Sequence, residues 1–565
     1  MIKRATFGPL LGVLGLASVL FGGCSARPAL EYWFVDSLAK VFPDDAAGTA
    51  KLDRAVFPAA RDSHISVQLA LRAVQSVGDL YVDALALTGP GQPIETVQVR
   101  WVEYVVVTTN TQDTPDEELL RKAPALFPDA VFTEFPITVK KDETRSVWVT
   151  IHVPKGQEPG EYKGNLRVRQ GTETVATVPY TLVVHKATVP TPIPLAINNY
   201  MNLSDSHLEQ FHSCTHGSGP WWELIANYAR FWADYYQTSI AANAVSLVKP
   251  QLTAGGLTYN FSDFERYVET WEAAGVKGQI DGGNLMERQR RRDATIMTEA
   301  WIIEGGKPVL RGIPWNDPRA QQFLNTFLPA LNQRLQELGW TDKYVQGIMD
   351  EPNQWEIPAF LDAAAKVRKF MPGVRTIEPV GLRQDVGFMA KTVDIWVPLL
   401  GTFDEKLDLL QKHISEDKGE VWFYTCLSPR GRYPNRFVDT SLTKVRLLHW
   451  INYKWNLTGF LHWGGNFWGP EPLKDTQPVI NEGRTYLPPG DAFITYPARM
   501  GLYSSIRLEQ MREGIEDYAL LKELDKKDRA VAQKIAGEAV RSFVDYVRDP
   551  REFRAIQQKV LEEAP

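Results

Sequence analysis

Between residue 31 and about residue 185, apolar and polar residues alternate in short runs broken by turn residues. Ile65-Ser-Val-Gln-Leu-Ala-Leu-Arg72, Val97-Gln-Val-Arg-Trp-Val-Glu-Tyr104, Ser146-Val-Trp-Val-Thr-Ile-His-Val153 and Gly164-Asn-Leu-Arg-Val-Arg169 carry the pattern, and Pro159-Gly160 and Gly171 punctuate it. A period of two with regular turns predicts an antiparallel β-sandwich, placed at residues 24–188. Val189-Pro190-Thr191-Pro192-Ile193-Pro194 then reads as a stiff, extended connection.

Beyond it the rhythm changes to strand followed by helix. Strands are predicted at 195–200, 238–248, 276–280, 344–349, 374–379, 394–398, 421–425 and 459–463, with a long polar insertion after the third. Amphipathic stretches lie at 221–236, 261–274, 318–338, 357–370, 403–414 and 442–455. Eight strands with intervening helices predict a (β/α)8 TIM barrel over 189–505. Residues 507–524 and 530–563 read as C-terminal helices packed on it, in a segment spanning 506–565. The expected class is therefore multidomain, β plus α/β. No Gly-rich phosphate loop follows the first strand, which argues against a nucleotide-binding fold.

The N-terminus adds a compartment. Met1-Ile-Lys-Arg4 precedes an apolar run from Ala5 to Gly23 that ends in Leu20-Phe-Gly-Gly-Cys24. The run is short for a membrane span and has the order of a secretory signal. Small residues before a cysteine predict a lipoprotein signal over 1–23, with lipidation at Cys24 and a chain exported and anchored to a bacterial membrane, facing the periplasm or cell surface. The net charge is -6, and loss of Lys3 and Arg4 takes it to -8. A mildly acidic chain without basic clusters is a poor partner for nucleic acid. Besides Cys24 only Cys214 and Cys426 are present, which is no disulfide framework. His212 and His216 flank Cys214, but their spacing matches no metal site and reads as loop chemistry. No metal or cofactor is expected.

Strand C-termini face the active-site mouth of a barrel, so what stands there matters. The fourth strand runs into Asp350-Glu351-Pro352-Asn353. An apolar strand delivering two acids places charge where desolvation is costly. A raised carboxyl can protonate a leaving oxygen while an ionised neighbour stabilises positive charge. Adjacent residues alternate sides along a strand, so both reach one substrate only where the chain turns. That suits substrate-assisted hydrolysis, with the sugar's 2-acetamido oxygen as nucleophile, better than a nucleophile and acid drawn from two strands about 5 Å apart. The seventh and eighth strands supply Tyr424, His462, Trp463, Asn466 and Trp468, which with Asn353 are the candidate substrate-binding residues. Tyr424 is expected to bond the acetamido carbonyl. Trp422 and Phe460 read as core. The 17 tryptophans suit a cleft that stacks sugar rings.

These motifs resemble glycoside hydrolase family 123, the β-N-acetylgalactosaminidases, and the related domain of unknown function 4091. The resemblance also rests on Ala59-Ala-Arg-Asp-Ser-His-Ile-Ser-Val-Gln68, Pro159-Gly-Glu-Tyr-Lys-Gly164, Gly490-Asp-Ala-Phe-Ile-Thr-Tyr-Pro497 and Ser505-Ile-Arg-Leu-Glu-Gln-Met-Arg-Glu-Gly-Ile-Glu-Asp-Tyr518. It implies retaining hydrolysis of a β-linked N-acetylhexosamine in a glycan, with Glu351 as acid/base and Asp350 orienting the acetamido group. His462 stands where Tyr or Phe is as often expected, which leaves the exact sugar open. Two alternatives stand beside this reading. One is a glycosidase on a non-acetamido sugar, recruiting Asp281, Glu378 or Asp394 as nucleophile. The other is a glycan-binding surface lipoprotein without turnover.

Overall fold

The computed structural model describes residues 29–565, except 291–292, 382–386, 388–391, 417–418, 479 and 482–484. The predicted signal at 1–23 and Cys24 lie outside the described residues. Among the described residues no helix is long and apolar enough to cross a membrane.

The N-terminal region is built of two β-sheets. One orders Leu30–Val35, Ser63–Ala73, Thr144–Val153, Val97–Val107, Ala125–Phe132, Gly501–Ser505 and Tyr496–Ala498. The other orders Val56–Arg61, Glu173–Thr188, Gly160–Gln170, Val77–Ala84 and Ile137–Val139. Val67, Leu69, Val147 and Val149 from the first share one apolar core with Leu80, Val168 and Leu182 from the second. The two strands at 496–505 return from the far end of the chain: Ser504 and Ser505 pair with Val131 and Ala130.

The second region is α/β. Its parallel strands are Ala196–Asn199, Ser239–Ala241, Gln279–Arg290, Tyr344–Met349, Arg375–Val380, Ile395–Pro398, Glu420–Thr425 and Gly459–His462. From the second strand to the eighth each pairs with the next, and the eighth pairs with the first. Between the first and second, Thr238 N–H donates to the Ile197 carbonyl at 3.0 Å. Helix boundaries follow their capping residues. Asp317 accepts from Arg319 N–H, Pro318 opens the Pro318–Leu338 helix, and left-handed Gly339 closes it.

Three elements differ from expectation. The stretch at 238–248 holds only a three-residue strand, then Asn243 caps a single helical turn, Ala244–Leu247. The third strand does not stop near 280. It continues to Arg290 and folds back through Asp293–Glu304 and Lys307–Pro314, so the polar insertion is an antiparallel sheet extension. The helical stretch at 530–563 is two helices, Arg529–Ala539 and Pro550–Glu563, because Asp549-Pro550 supplies a cap and a first-turn proline.

Joining the two regions is the Ile506–Lys527 helix, buried around most of its circumference although it carries Arg507, Glu509, Arg512, Glu513, Glu516 and Asp517. Ser66 and Thr150 alternate with the apolar residues of their strands and face this helix instead of water. Ser66 N–H donates to Glu513 at 3.1 Å, and the Thr150 hydroxyl donates to Glu509 at 3.1 Å. Arg100 bonds Glu509, and Arg446 bonds both Asp517 and Glu513. Gly514 lets the helices touch, since a Cβ there would stand 2.6 Å from the Arg446 carbonyl oxygen.

Arg507 is the most heavily committed of these groups. Nε and Nη2 clasp Asp129 at 2.8 Å each, and the remaining hydrogens go to the carbonyls of Arg436, Gly490 and Phe493. Removing one partner of a buried pair strands the other's charge, at a cost of about 3–5 kcal/mol. Arg507→Met is therefore expected to lower the thermal unfolding midpoint sharply, as read by circular dichroism; an unchanged midpoint would mean that Asp129 is satisfied without it.

Candidate active site

The Tyr344–Met349 strand is buried along its whole length and delivers Asp350 to an exposed position, with Glu351 half-buried beside it. Glu351 has φ +44°, a left-handed conformation that costs a non-glycine residue about 1–3 kcal/mol. The chain therefore turns directly after the strand, and the strand's alternation of faces does not extend past Asp350.

The strained turn is clamped from below. Arg288, on the extension of the third strand, donates from Nη2 to the Asp350 carbonyl at 2.9 Å and also to the Glu351 carbonyl. Glu356 holds Arg288 in a two-pronged pair, Nε–Oε1 2.7 Å and Nη2–Oε2 2.9 Å, and accepts the Asn353 N–H at 2.6 Å. Charge-assisted contacts of this kind can offset the backbone strain. Neither Arg288 nor Glu356 was singled out from sequence. Arg288 lay inside the unassigned polar insertion, and Glu356 reads as an ordinary helix-start acid. Trp355, 61 % exposed on the same turn, was also passed over.

Tyr424 Oη donates to Glu351 Oε1. Burial, and then the charge of Glu351, push the tyrosine far above its ordinary range, so the hydroxyl keeps its proton. In this arrangement the hydrogen expected for an acetamido carbonyl is given to Glu351. Across from Tyr424 stands Gly381, where a Cβ would lie 3.3 Å from the Glu351 carboxyl carbon.

Beneath the pair lie two further acids. Glu378 is fully buried and accepts from Ile348 and Met349 N–H at 3.3 and 3.4 Å. Burial, then the charge of Asp350, drive its carboxyl well up. Asp281, 4 % exposed, accepts from Asn198 at 2.9 Å and Gly283 N–H at 3.0 Å, and burial raises it too. Asp394 sits at the N-terminal end of its strand, the far end from Asp350, and bonds Arg368 at 2.7 Å and Thr376 N–H at 2.8 Å.

The other candidates fall into two groups. Trp463 is partly exposed, and its Nε1 donates to Asp491 Oδ2 at 3.2 Å; His462 is buried with Nε2 3.5 Å from Asp491 Oδ1. Trp468 is buried, stacks on His207 at 5.2 Å and donates to the Thr495 carbonyl at 2.6 Å. Asn466 is fully buried and bridges to both main-chain groups of Asn202. These last two stitch loops together. Asn353 contributes its N–H to the Glu356 clamp.

Cys214 and Cys426 are both free. His212 closes the Asp205–His212 helix, buried against the Tyr228 hydroxyl at 2.8 Å, and His216 pairs with Asp205 at 2.8 Å. Among the described residues no group of His, Cys, Asp or Glu is arranged to hold a metal ion.

Adjacent carboxylates at a strand end, with a tyrosine from the seventh strand on one of them, are groups able to give and take protons. The comparisons give the class. Residues 204–524 match the glycoside hydrolase 123 catalytic domain and residues 48–170 the glycoside hydrolase 123 N-terminal domain. The chain belongs to glycoside hydrolase family 123. It is similar in structure to a family 123 glycoside hydrolase from Clostridium perfringens studied for glycolipid glycan hydrolysis, with TM-score 0.71 and 16 % identity over 94 % of this chain and 97 % of that one. A family 39 glycoside hydrolase from Bacteroides cellulosilyticus WH2 aligns at TM-score 0.34 and 10 % identity over 82 % of this chain and 81 % of that one, too distant to bear on the site. Nothing among the curated proteins matches.

A hydrogen bond to a charged group contributes about 1.5–3 kcal/mol, and tenfold in rate corresponds to about 1.4 kcal/mol. Tyr424→Phe is therefore expected to lower kcat/KM for glycoside hydrolysis by about 10- to 100-fold with little change in unfolding midpoint. Steady-state kinetics beside a thermal melt checks this, and unaltered kinetics would remove Tyr424 from the site.

Proposed function

We propose that the protein removes β-linked N-acetylhexosamine, with the galacto configuration favoured, by substrate-assisted retaining hydrolysis. Glu351 protonates the leaving oxygen and later deprotonates water. Asp350 holds the acetamido N–H while the acetamido oxygen attacks the anomeric carbon. The observation that carries this reading is the turn at Glu351, which presents two adjacent acids at one strand end. The acids that a direct nucleophilic mechanism would recruit are poorly placed: Asp281 and Glu378 are buried on main-chain or amide hydrogens, and Asp394 lies at the opposite strand end. The glycan of a glycolipid is a fitting substrate, given the activity described for the Clostridium perfringens relative.

The parallel sheet we read as a (β/α)8 barrel, because the eighth strand pairs with the first and the strand ends then share one mouth. We further propose that residues 1–23 are a lipoprotein signal and that Cys24 is the anchor on a bacterial membrane.

A thiazoline analogue of the bicyclic intermediate is expected to inhibit competitively, and aryl β-glycosides lacking the 2-acetamido group to go uncleaved. Glu351→Gln is expected to lower kcat by about 100-fold or more, the range of lost proton transfer. A thiazoline that does not bind would sink the substrate-assisted mechanism; a fully active Glu351→Gln would sink the site. For the anchor, Cys24→Ala in a bacterial host is expected to move the protein from the membrane to the soluble fraction, and equal membrane association would refute lipidation.

A further inference from the structure

The Gly490–Pro497 motif is conspicuous in sequence, yet no step above uses it. In the structure this segment is pressed onto the end of the eighth parallel strand. A Cβ on Gly464 would stand 1.9 Å from the Asp491 carbonyl oxygen, so only glycine permits the approach. Gly490 has φ +77°, and a Cβ there would meet Val438 at 2.6 Å and Arg507 Nη1 at 2.8 Å. Arg507 fastens the segment from below through the Gly490 and Phe493 carbonyls, both at 2.9 Å.

What the segment delivers is a fully buried carboxylate, Asp491. The hydrogen bonds of the guanidinium groups nearby go elsewhere, and Arg436 Nε is buried without a partner. Arg436 donates to Asn199 Oδ1 at 2.7 Å and to the Gly464 carbonyl at 2.9 Å, and Arg507 clasps Asp129. The Trp463 indole N–H therefore stands as the direct donor to Asp491, at 3.2 Å. His462 lies beside the pair. Its Nδ1 accepts from Gly464 N–H at 2.9 Å, which leaves its hydrogen on Nε2, 3.5 Å from Asp491 Oδ1 and without a hydrogen bond to it. Burial pushes Asp491 up to about 7, a mark of how little hydrogen bonding compensates it.

A carboxyl group kept in so dry a place needs a reason, since burying a polar group is costly unless it is hydrogen-bonded. Its neighbours supply one. Cys426 follows the seventh strand, two residues beyond Tyr424, and its thiol is raised by burial and then by the charges of both Asp491 and Glu351. The strand register gives the placement: Tyr424, which donates to Glu351, pairs with Leu461, and Thr425 pairs with His462, so Trp463 follows directly on the strand end beside Cys426. Trp463 keeps part of its ring exposed there, with Phe467 packed against it at 5.1 Å.

We propose that Asp491 is a positioning residue, whose carboxyl group fixes the Trp463 indole as the aromatic platform of the sugar subsite. A ring that stacks on a sugar must be held against rotation, and one hydrogen bond from the indole edge does so while leaving a face free. The role in sugar binding rests on the glycosidase reading; the tether itself does not.

The test uses the full chain labelled with 15N-tryptophan. The Trp463 indole signal is identified as the one missing in Trp463→Phe. It is expected to exchange with solvent slowly in the wild type, about tenfold or more faster in Asp491→Ala, and at an intermediate rate in Asp491→Asn, whose amide oxygen still accepts. For the hydrolysed glycoside, Asp491→Ala is expected to raise KM about tenfold with kcat within about threefold, and Asp491→Asn to recover part of the loss. Unchanged indole exchange in both variants overturns the proposal, as does a collapse of kcat at constant KM. Should Asp491→Ala not fold, Asp491→Asn decides alone: wild-type exchange and KM would be fatal. A wild type that cleaves no glycoside refutes the proposed function, and the exchange rates still judge the tether.

Discussion

Arg507 and Asp129 hold the two regions of this protein in one arrangement. All five guanidinium hydrogens are used: two on Asp129 of the N-terminal sheet, the others on the carbonyls of Arg436, Gly490 and Phe493. Tyr496 adds its hydroxyl to the same carboxylate at 2.6 Å. A dry ion pair is weak evidence for stability, because desolvation offsets its attraction. Its geometry, however, tolerates no slippage. A fork of five donors with fixed directions accepts only one placement of sheet, helix and loop. An apolar interface of equal area would permit many.

The same logic extends along the Ile506–Lys527 helix. Arg100 reaches Glu509 from the sheet, Arg446 reaches Asp517 and Glu513 from the Leu442–Lys454 helix, and His64 reaches Glu516. Burial, against the partial compensation of Arg512, raises Glu516 to about 7, and burial lowers His64 to about 3, so a neutral contact is the favoured form of that pair. The interface is therefore polar, with charges where the donors are forked and a neutral contact at His64 and Glu516, while Ser66 Oγ, Arg100 Nε and Arg512 Nε are buried without a hydrogen-bond partner.

Much of this was legible in the chain, for identifiable reasons. Strand order from 344 onward follows from buried runs of β-branched and aromatic residues, and 318–338 from a cap, a proline and a closing glycine. The helix at 506–527 was legible as a helix. Its partners were not, because alternating Ser66 and Thr150 look solvent-facing until a second layer covers them. The antiparallel extension at 279–314 was illegible because its polar residues carry no burial signal, and with it went Arg288. The carboxylates Asp350 and Glu351 were legible as a pair; the positive φ that makes them usable together was not, since nothing in Glu351 marks a left-handed residue. Trp463 and Trp468 look alike in sequence, yet one stays partly exposed and the other is spent on His207 and the Thr495 carbonyl.

These pieces form a single chain of constraint. Asp129 fixes Arg507, Arg507 fixes the Gly490–Phe493 segment, and that segment lies on the strand end bearing His462 and Trp463. On the other side Glu356 fixes Arg288, and Arg288 holds the strained turn of Glu351. The candidate site is thus held from two directions by ion pairs, Arg507 with Asp129 and Arg288 with Glu356. Such support matters because a displacement of about 1 Å can cost two orders of magnitude in rate. It also explains why the N-terminal region is folded back onto the α/β region at all: with Asp129 missing, Arg507 would lose the partner that orients it, and the loop behind the cleft would lose its anchor.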